Sequence, residues 1–101
     1  VKIYISGRIK DYENYKAHFA RAARALEALG HEVVNPCDLW VEEYTYADYM
    51  KQDIKDMLEC DSVLMLQGWE HSAGARCEFH VAACCGLEIV YENPATFLRK
   101  N

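Results

Sequence analysis

Glu78 closes the segment Ser72-Ala73-Gly74-Ala75-Arg76-Cys77-Glu78. On a helix turning about 100° per residue, Ala75, Val81, Ala82 and Cys85 share its side, and Arg76 and His80 lie nearly opposite. A carboxylate on an otherwise apolar face is costly unless it is paired or hydrogen-bonded. A buried acid in a cleft is a candidate for catalysis; the plain alternative is a structural pair with Arg8 or Arg76. Ser72 stands where that helix begins. It reads as an N-cap, and alternatively as a phosphate holder together with the free backbone N–H groups of the first turn. Asp53 borders the apolar face of an earlier helix, beside Met50 and Met57, where an ordinary surface acid is the default reading. Tyr4 alternates with Ile3 and Ile5, as a core tyrosine would. Cys77, His80 and Cys84 share a helix face, but structural zinc sites draw ligands from two segments. Packed thiols are therefore expected there, with no metal and no cofactor.

These residues need elements to hold them. Lys2 to Ser6 reads as a short buried strand, followed by a polar loop opening at Gly7 and Arg8. Tyr15, Phe19, Ala22, Leu26 and Leu29 make a helical stripe within residues 14–29, and Gly30 ends it. His31 to Asn35 is a second strand, stopped by Pro36, and a loop carrying Trp40 follows. Thr45 and Asp48 form a capping pair, so a second helix should start near Tyr46, with Tyr46, Met50, Ile54, Met57 and Leu58 on its apolar face. Residues 62–67 make a third strand, 68–73 a loop, 74–85 a third helix ending at Gly86, and 87–91 a fourth strand. Asn93-Pro94 should turn the chain into a tail with one helical turn around Thr96 to Arg99.

Strands alternating with helices imply a parallel sheet covered on both faces. The expected fold is α/β in three layers, α/β/α, with a flavodoxin- or Rossmann-like parallel sheet of about four strands in the order 2-1-3-4. In such sheets ligands sit beyond the carboxyl ends of the strands, where the order reverses. That point lies between strands one and three. It is framed by Ser6, Gly7, Arg8, Ile9 and Lys10 on one side, and by Gly68, Trp69, Glu70, His71 and Ser72 on the other.

Composition bounds the partners. The 101 residues make one domain, with 51% hydrophobic and 27% charged residues. A net charge of -5 and the lack of a Lys/Arg run argue against a nucleic-acid polymer. A single nucleotide needs only a helix N-terminus and one or two cations. The five cysteines are odd in number and lack a C-x-x-C. With no leader-like segment and no apolar run of membrane-spanning length, reduced thiols in a cytoplasmic protein are expected. Cys77, Val81, Cys84 and Cys85 leave the third helix apolar nearly all round, so a homodimer or a dimer of dimers is expected.

The segments KIYISGRI, QDIKDMLECDSVLML, GWEHSAGARCE and GLEIVY resemble the nucleoside 2-deoxyribosyltransferase-like superfamily. The likeness is closest to its short phage and bacterial branch. Among characterised members it lies nearer 2′-deoxynucleoside 5′-phosphate N-hydrolase than the transferases. The most specific features are S-x-G-x-x-x-E at Ser72–Glu78 and D-I-x-x-[LM]-x-x-C-D from Asp53 to Asp61. By this resemblance Glu78 is the nucleophile, Tyr4 orients it, and Asp53 serves the base or its leaving step. Gly7, Arg8, Ile9 and Lys10 wrap the sugar and phosphate, and Ser72 replaces the aspartate of the transferases. An aspartate would repel a 5′-phosphate, and a serine at a helix N-terminus would accept it. The implied reaction is a retaining displacement at C1′ of a 2′-deoxynucleotide, by hydrolysis or transfer. Ser6, Gly74 and Trp69 join the expected substrate-binding set. Arg76 departs from the small or aromatic residue usual inside the motif, and a residue from Tyr91 to Arg99 would complete a neighbouring subunit's site. Two other readings stand beside the enzyme: a non-catalytic nucleotide-binding or sensing domain, and an interaction module whose site is closed by an Arg76–Glu78 pair.

Overall fold

In the computed structural model, residues 1–93 and the backbone of 97–100 are described. The elements are β1 (Lys2–Ser6), α1 (Tyr15–Ala28), β2 (Glu32–Val34), α2 (Tyr46–Leu58), β3 (Ser62–Met65), α3 (Ala73–Cys84), β4 (Glu88–Asn93) and β5 (Phe97–Lys100). Short 3-10 turns at Pro36–Asp38 and Trp69–His71 lie in the loops before α2 and α3.

The sheet order is β2-β1-β3-β4-β5. β1 runs parallel to both β2 and β3, with Tyr4 opposite Val34 on one side and Val63 on the other. β4 runs parallel to β3. The parallel part of the sheet therefore has the expected order 2-1-3-4. The tail differs. Phe97–Lys100 is not a helical turn but a strand antiparallel to β4. An isolated helical turn fixes several dihedrals for one hydrogen bond. Pairing along the open edge of β4 satisfies a row of backbone groups at once. Residues 94–96, where the turn at Pro94 was expected, lie outside the described residues.

The strand alternation sorts the core into two faces. Ile3, Ile5, Leu64 and Val90 meet Phe19, Ala22 and Leu26 of α1 on one face. Tyr4, Val63 and Met65 meet Met57 of α2 and Ala75 and Ala82 of α3 on the other. The result is the three-layer arrangement, with α1 alone on one side.

Local signals explain the helix starts. The Thr45 side chain accepts from the Asp48 N–H at 3.2 Å, and the Asp48 carboxylate accepts from the Thr45 N–H at 3.0 Å. This is the capping box expected from the sequence. The bond from the Thr45 N–H holds the Asp48 carboxyl below its ordinary range. α3 is capped by Ser72, whose Oγ accepts the Ala75 N–H at 3.1 Å.

Candidate active site

Glu78 lies in the second turn of α3 and is 6% exposed. Two hydroxyls from β1 hold its carboxylate. Tyr4 donates to Oε2 at 2.8 Å, and Ser6 donates to Oε1 at 2.6 Å. Both side chains leave β1 toward α3, because residues two apart share a face of a strand. Neither arginine is involved. The Arg8 Nε donates to the Lys10 carbonyl at 3.3 Å, and the Arg76 Nη1 to the Glu70 carbonyl at 2.7 Å. The structural-pair reading of Glu78 is thus corrected: its partners are hydroxyls, and no Arg76–Glu78 pair closes the site.

The electrostatics follow from burial. Desolvation pushes the Glu78 carboxyl up to about 7, against the two hydroxyl donors, which favour the ionised form. Asp53 contributes a further upward push through its charge. Asp53 itself is half-buried on α2, and burial with the neighbouring Asp56 raises it to about 6. The Tyr4 hydroxyl is raised well above its ordinary value, first by burial and then by the charges of Glu78 and Asp53. Tyr4, Glu78 and Asp53 are therefore electrostatically joined. A carboxylate held at both oxygens and half ionised near neutral pH is suited to attack an electrophilic carbon or to exchange a proton.

The remaining expected residues divide between the site and its support. Ser6, expected with the ligand-wrapping loop, spends its hydroxyl on Glu78. Gly7 follows β1 where a Cβ would lie 3.0 Å from Leu66 and 3.1 Å from Phe19. Arg8, Ile9 and Lys10 continue the loop, with Ile9 and Lys10 exposed. Ser72 serves as the α3 cap. Gly74 stands where α3 approaches α2: a Cβ there would sit 3.0 Å from the Tyr46 hydroxyl and 3.3 Å from the Met50 sulfur, both at the ends of flexible side chains. The Trp69 ring stacks on Phe79 at 4.7 Å and tilts toward Tyr91 at 6.3 Å. It lines a cleft of about 260 Å³ at the carboxyl ends of β3 and β4, with Gln67, Glu70, Tyr91 and Glu92. That cleft lies toward β4, and neither Glu78 nor Asp53 lines it.

Sequence reasoning missed two features. The role of Ser6 was signalled only by its place two residues after Tyr4. The second is a chain from Tyr12 through His18 to Glu92 on the α1 face. Its only signal was a histidine beside the apolar stripe of α1.

Residues 1–91 match the family model described as Domain of unknown function (DUF4406). The chain belongs to the DUF4406 family. No curated protein matches it significantly in sequence. Among solved structures it is similar to a 2-deoxyribosyltransferase from the psychrotolerant bacterium Bacillus psychrosaccharolyticus, with a TM-score of 0.74 at 22% identity, over 90% of this chain and 71% of that one. It is also similar to a conserved protein from Enterococcus faecalis V583, with a TM-score of 0.66 at 19% identity, over 90% of this chain and 62% of that one. This DUF4406 chain therefore has the fold of a 2-deoxyribosyltransferase.

In the DUF4406 chain Cys77, Cys84 and Cys85 are exposed, Cys60 is buried, and all five thiols are free. Burial pushes the Cys37 thiol up to about 11. Among the described residues no group of three or more His, Cys, Asp or Glu is arranged to hold a metal ion. No described helix is long and apolar enough to cross a membrane.

Proposed function

We propose that the chain breaks the N-glycosidic bond of a 2′-deoxynucleoside 5′-monophosphate, by hydrolysis or by transfer, with Glu78 as the nucleophile. The observation that carries this reading is the buried Glu78 carboxylate with Tyr4 on one oxygen and Ser6 on the other. The likeness of fold to a 2-deoxyribosyltransferase supports the substrate class. So do the cations Arg8 and Lys10 in the loop after β1 and the serine cap of α3.

In this mechanism an ionised Glu78 oxygen bonds to C1′ of the sugar. The C1′–N bond breaks and its electron pair leaves with the base, which takes a proton from Asp53. Water, or a second base, then attacks C1′ and releases Glu78. Tyr4 and Ser6 hold the carboxylate in line and steady its charge as the sugar departs. Small nucleotides or nucleosides are the partners, and the free thiols fit a reducing, cytoplasmic setting.

Incubation with a panel of 2′-deoxynucleoside 5′-monophosphates is expected to release free base. Glu78→Ala is expected to abolish the release. No release from any nucleotide or nucleoside, with or without an acceptor base, overturns the catalytic reading. The deep burial of Glu78 favours a second reading, a nucleotide-sensing domain without turnover. That domain would bind nucleotide and leave it intact, and Glu78→Gln would still bind.

A further inference from the structure

The mechanism above leaves one buried polar chain unused. The Tyr12 hydroxyl lies 2.9 Å from His18 Nδ1, and His18 Nε2 lies 2.7 Å from Glu92 Oε1. The same Glu92 oxygen accepts the Gln67 backbone N–H at 2.8 Å. His18 is 7% exposed in the first turn of α1, and Glu92 stands near the end of β4. A carboxylate accepts, so the Nε2 proton of His18 points to Glu92, and in the neutral ring Nδ1 accepts from Tyr12. The chain joins three separate segments on the α1 face, across the sheet from Glu78.

Tyr12 belongs to the loop of residues 7–14 between β1 and α1. A second feature of that loop is independent of the first. Asp11, next to Tyr12, has a φ of 59°. The left-handed region disfavours side chains with a Cβ, aspartate less than most. Such a conformation persists where its surroundings over-determine it. Gly7 fixes the start of the loop against Leu66 and Phe19. Local bonds shape its middle and end: the Arg8 Nε to the Lys10 carbonyl at 3.3 Å, and the Tyr12 N–H to the Ile9 carbonyl at 3.3 Å. Tyr12 then ties the loop to His18, with its ring edge-on to the imidazole at 5.7 Å. A buried, charge-assisted chain of this kind is stiff. Between the two fixed points stand Arg8 and Lys10.

We infer that Tyr12, His18 and Glu92 form a latch that holds this loop, and so presents Arg8 and Lys10 to the 5′-phosphate of the substrate. The phosphate assignment rests on the nucleotide reading above; the latch does not. Tyr12 and His18 are positioning residues that act through the loop. A dianionic phosphate benefits from two pre-placed cations because their ordering is settled before binding. A nucleoside lacking the phosphate gains nothing from them.

Tyr12→Phe keeps the ring against His18 and removes the hydroxyl, and His18→Gln breaks the chain at its centre. Titration calorimetry with the common 2′-deoxynucleoside 5′-monophosphates, and with the matching nucleosides, separates the effects. Each variant is expected to weaken monophosphate binding about tenfold and to leave nucleoside binding within about twofold. Equal weakening of both ligands, or no weakening of the monophosphate, overturns the phosphate role. Wild-type protein that binds neither ligand overturns the nucleotide reading and the phosphate role together. Amide hydrogen exchange decides the latch itself in every case. Faster exchange at residues 8–12 in Tyr12→Phe, with α3 unchanged, sustains it. Unchanged exchange in that loop overturns it.

Discussion

Burial keeps the Glu78 carboxyl protonated up to about 7, against an ordinary value of 4.5. A folded pKa above the unfolded one means that this group's contribution to stability is complete below pH 4.5 and is lost as pH rises through about 7. At about 1.4 kcal/mol per unit, the loss is at most roughly 3–4 kcal/mol. Glu78→Gln keeps the shape without the charge, so chemical denaturation should find it more stable than wild type at pH 8 and about equal at pH 5. Catalysis runs the other way, because attack needs the ionised form. The activity of the proposed enzyme should fall on the acid side as Glu78 takes up its proton, and on the alkaline side as Asp53 loses the proton it donates. With Asp53 raised to about 6 and Glu78 to about 7, the pH profile of kcat/KM should be narrow and centred between them. The two limbs belong to the coupled pair, not to either acid alone. Tyr4→Phe or Ser6→Ala removes a donor to the charged form and raises the Glu78 carboxyl further; because it already lies above Asp53, kcat/KM at the optimum should fall by up to about tenfold and the alkaline limb should move upward. An arginine partner for Glu78 was a reasonable sequence expectation. Desolvating a guanidinium costs far more than turning two strand hydroxyls toward the acid, and only the pairing of β1 with α3 brings those hydroxyls into reach.

At the scale of elements, two glycines carry opposite expectations. A methyl at Gly7 would meet Leu66 and Phe19, which are 1% and 0% exposed and have no room to move. Gly7→Ala is expected to cost about 1–3 kcal/mol by thermal or denaturant unfolding. A methyl at Gly74 would press on the Tyr46 hydroxyl, but Tyr46 is 69% exposed and can swing outward. Alanine is also better than glycine inside a helix, so Gly74→Ala should be neutral or stabilising by up to ~1 kcal/mol. The second helix was readable because its signal is local: Thr45 and Asp48 are three residues apart, and their mutual bonds need nothing from the rest of the chain. β5 was not readable for the opposite reason. Its pairing depends on the free edge of β4, which exists only once the sheet has formed. Of the segment from Tyr91 to Arg99 expected to complete a neighbour's site, residues 94–96 lie outside the described residues.

At the scale of the whole molecule, α3 is buried only on the side of Ala75, Glu78 and Ala82. Cys77, Cys84 and Cys85 stay exposed on it, and Tyr46 and Leu58 stay exposed on α2. Small apolar side chains left outside suit contact with a second copy. Light scattering at micromolar concentration is expected to give a dimer or a dimer of dimers, and Cys84→Arg is expected to shift it toward monomer. A wild-type monomer would remove α3 as an interface.

The antiparallel fifth strand is not legible in the sequence; the order of the first four strands and three helices, the parallel sheet and its switch point are. Those follow from periodicity, caps and the handedness of crossovers, all of which act over short stretches of chain. The sequence also singled out Glu78, because an acid on an apolar helical face is visible without coordinates. The tertiary structure alone decided what that acid touches. Tyr4 and Ser6 lie more than seventy residues from Glu78 along the chain. The same holds for the contact of His18 with Glu92. Such contacts are set by how faces of the sheet and helices meet, and no local pattern encodes them.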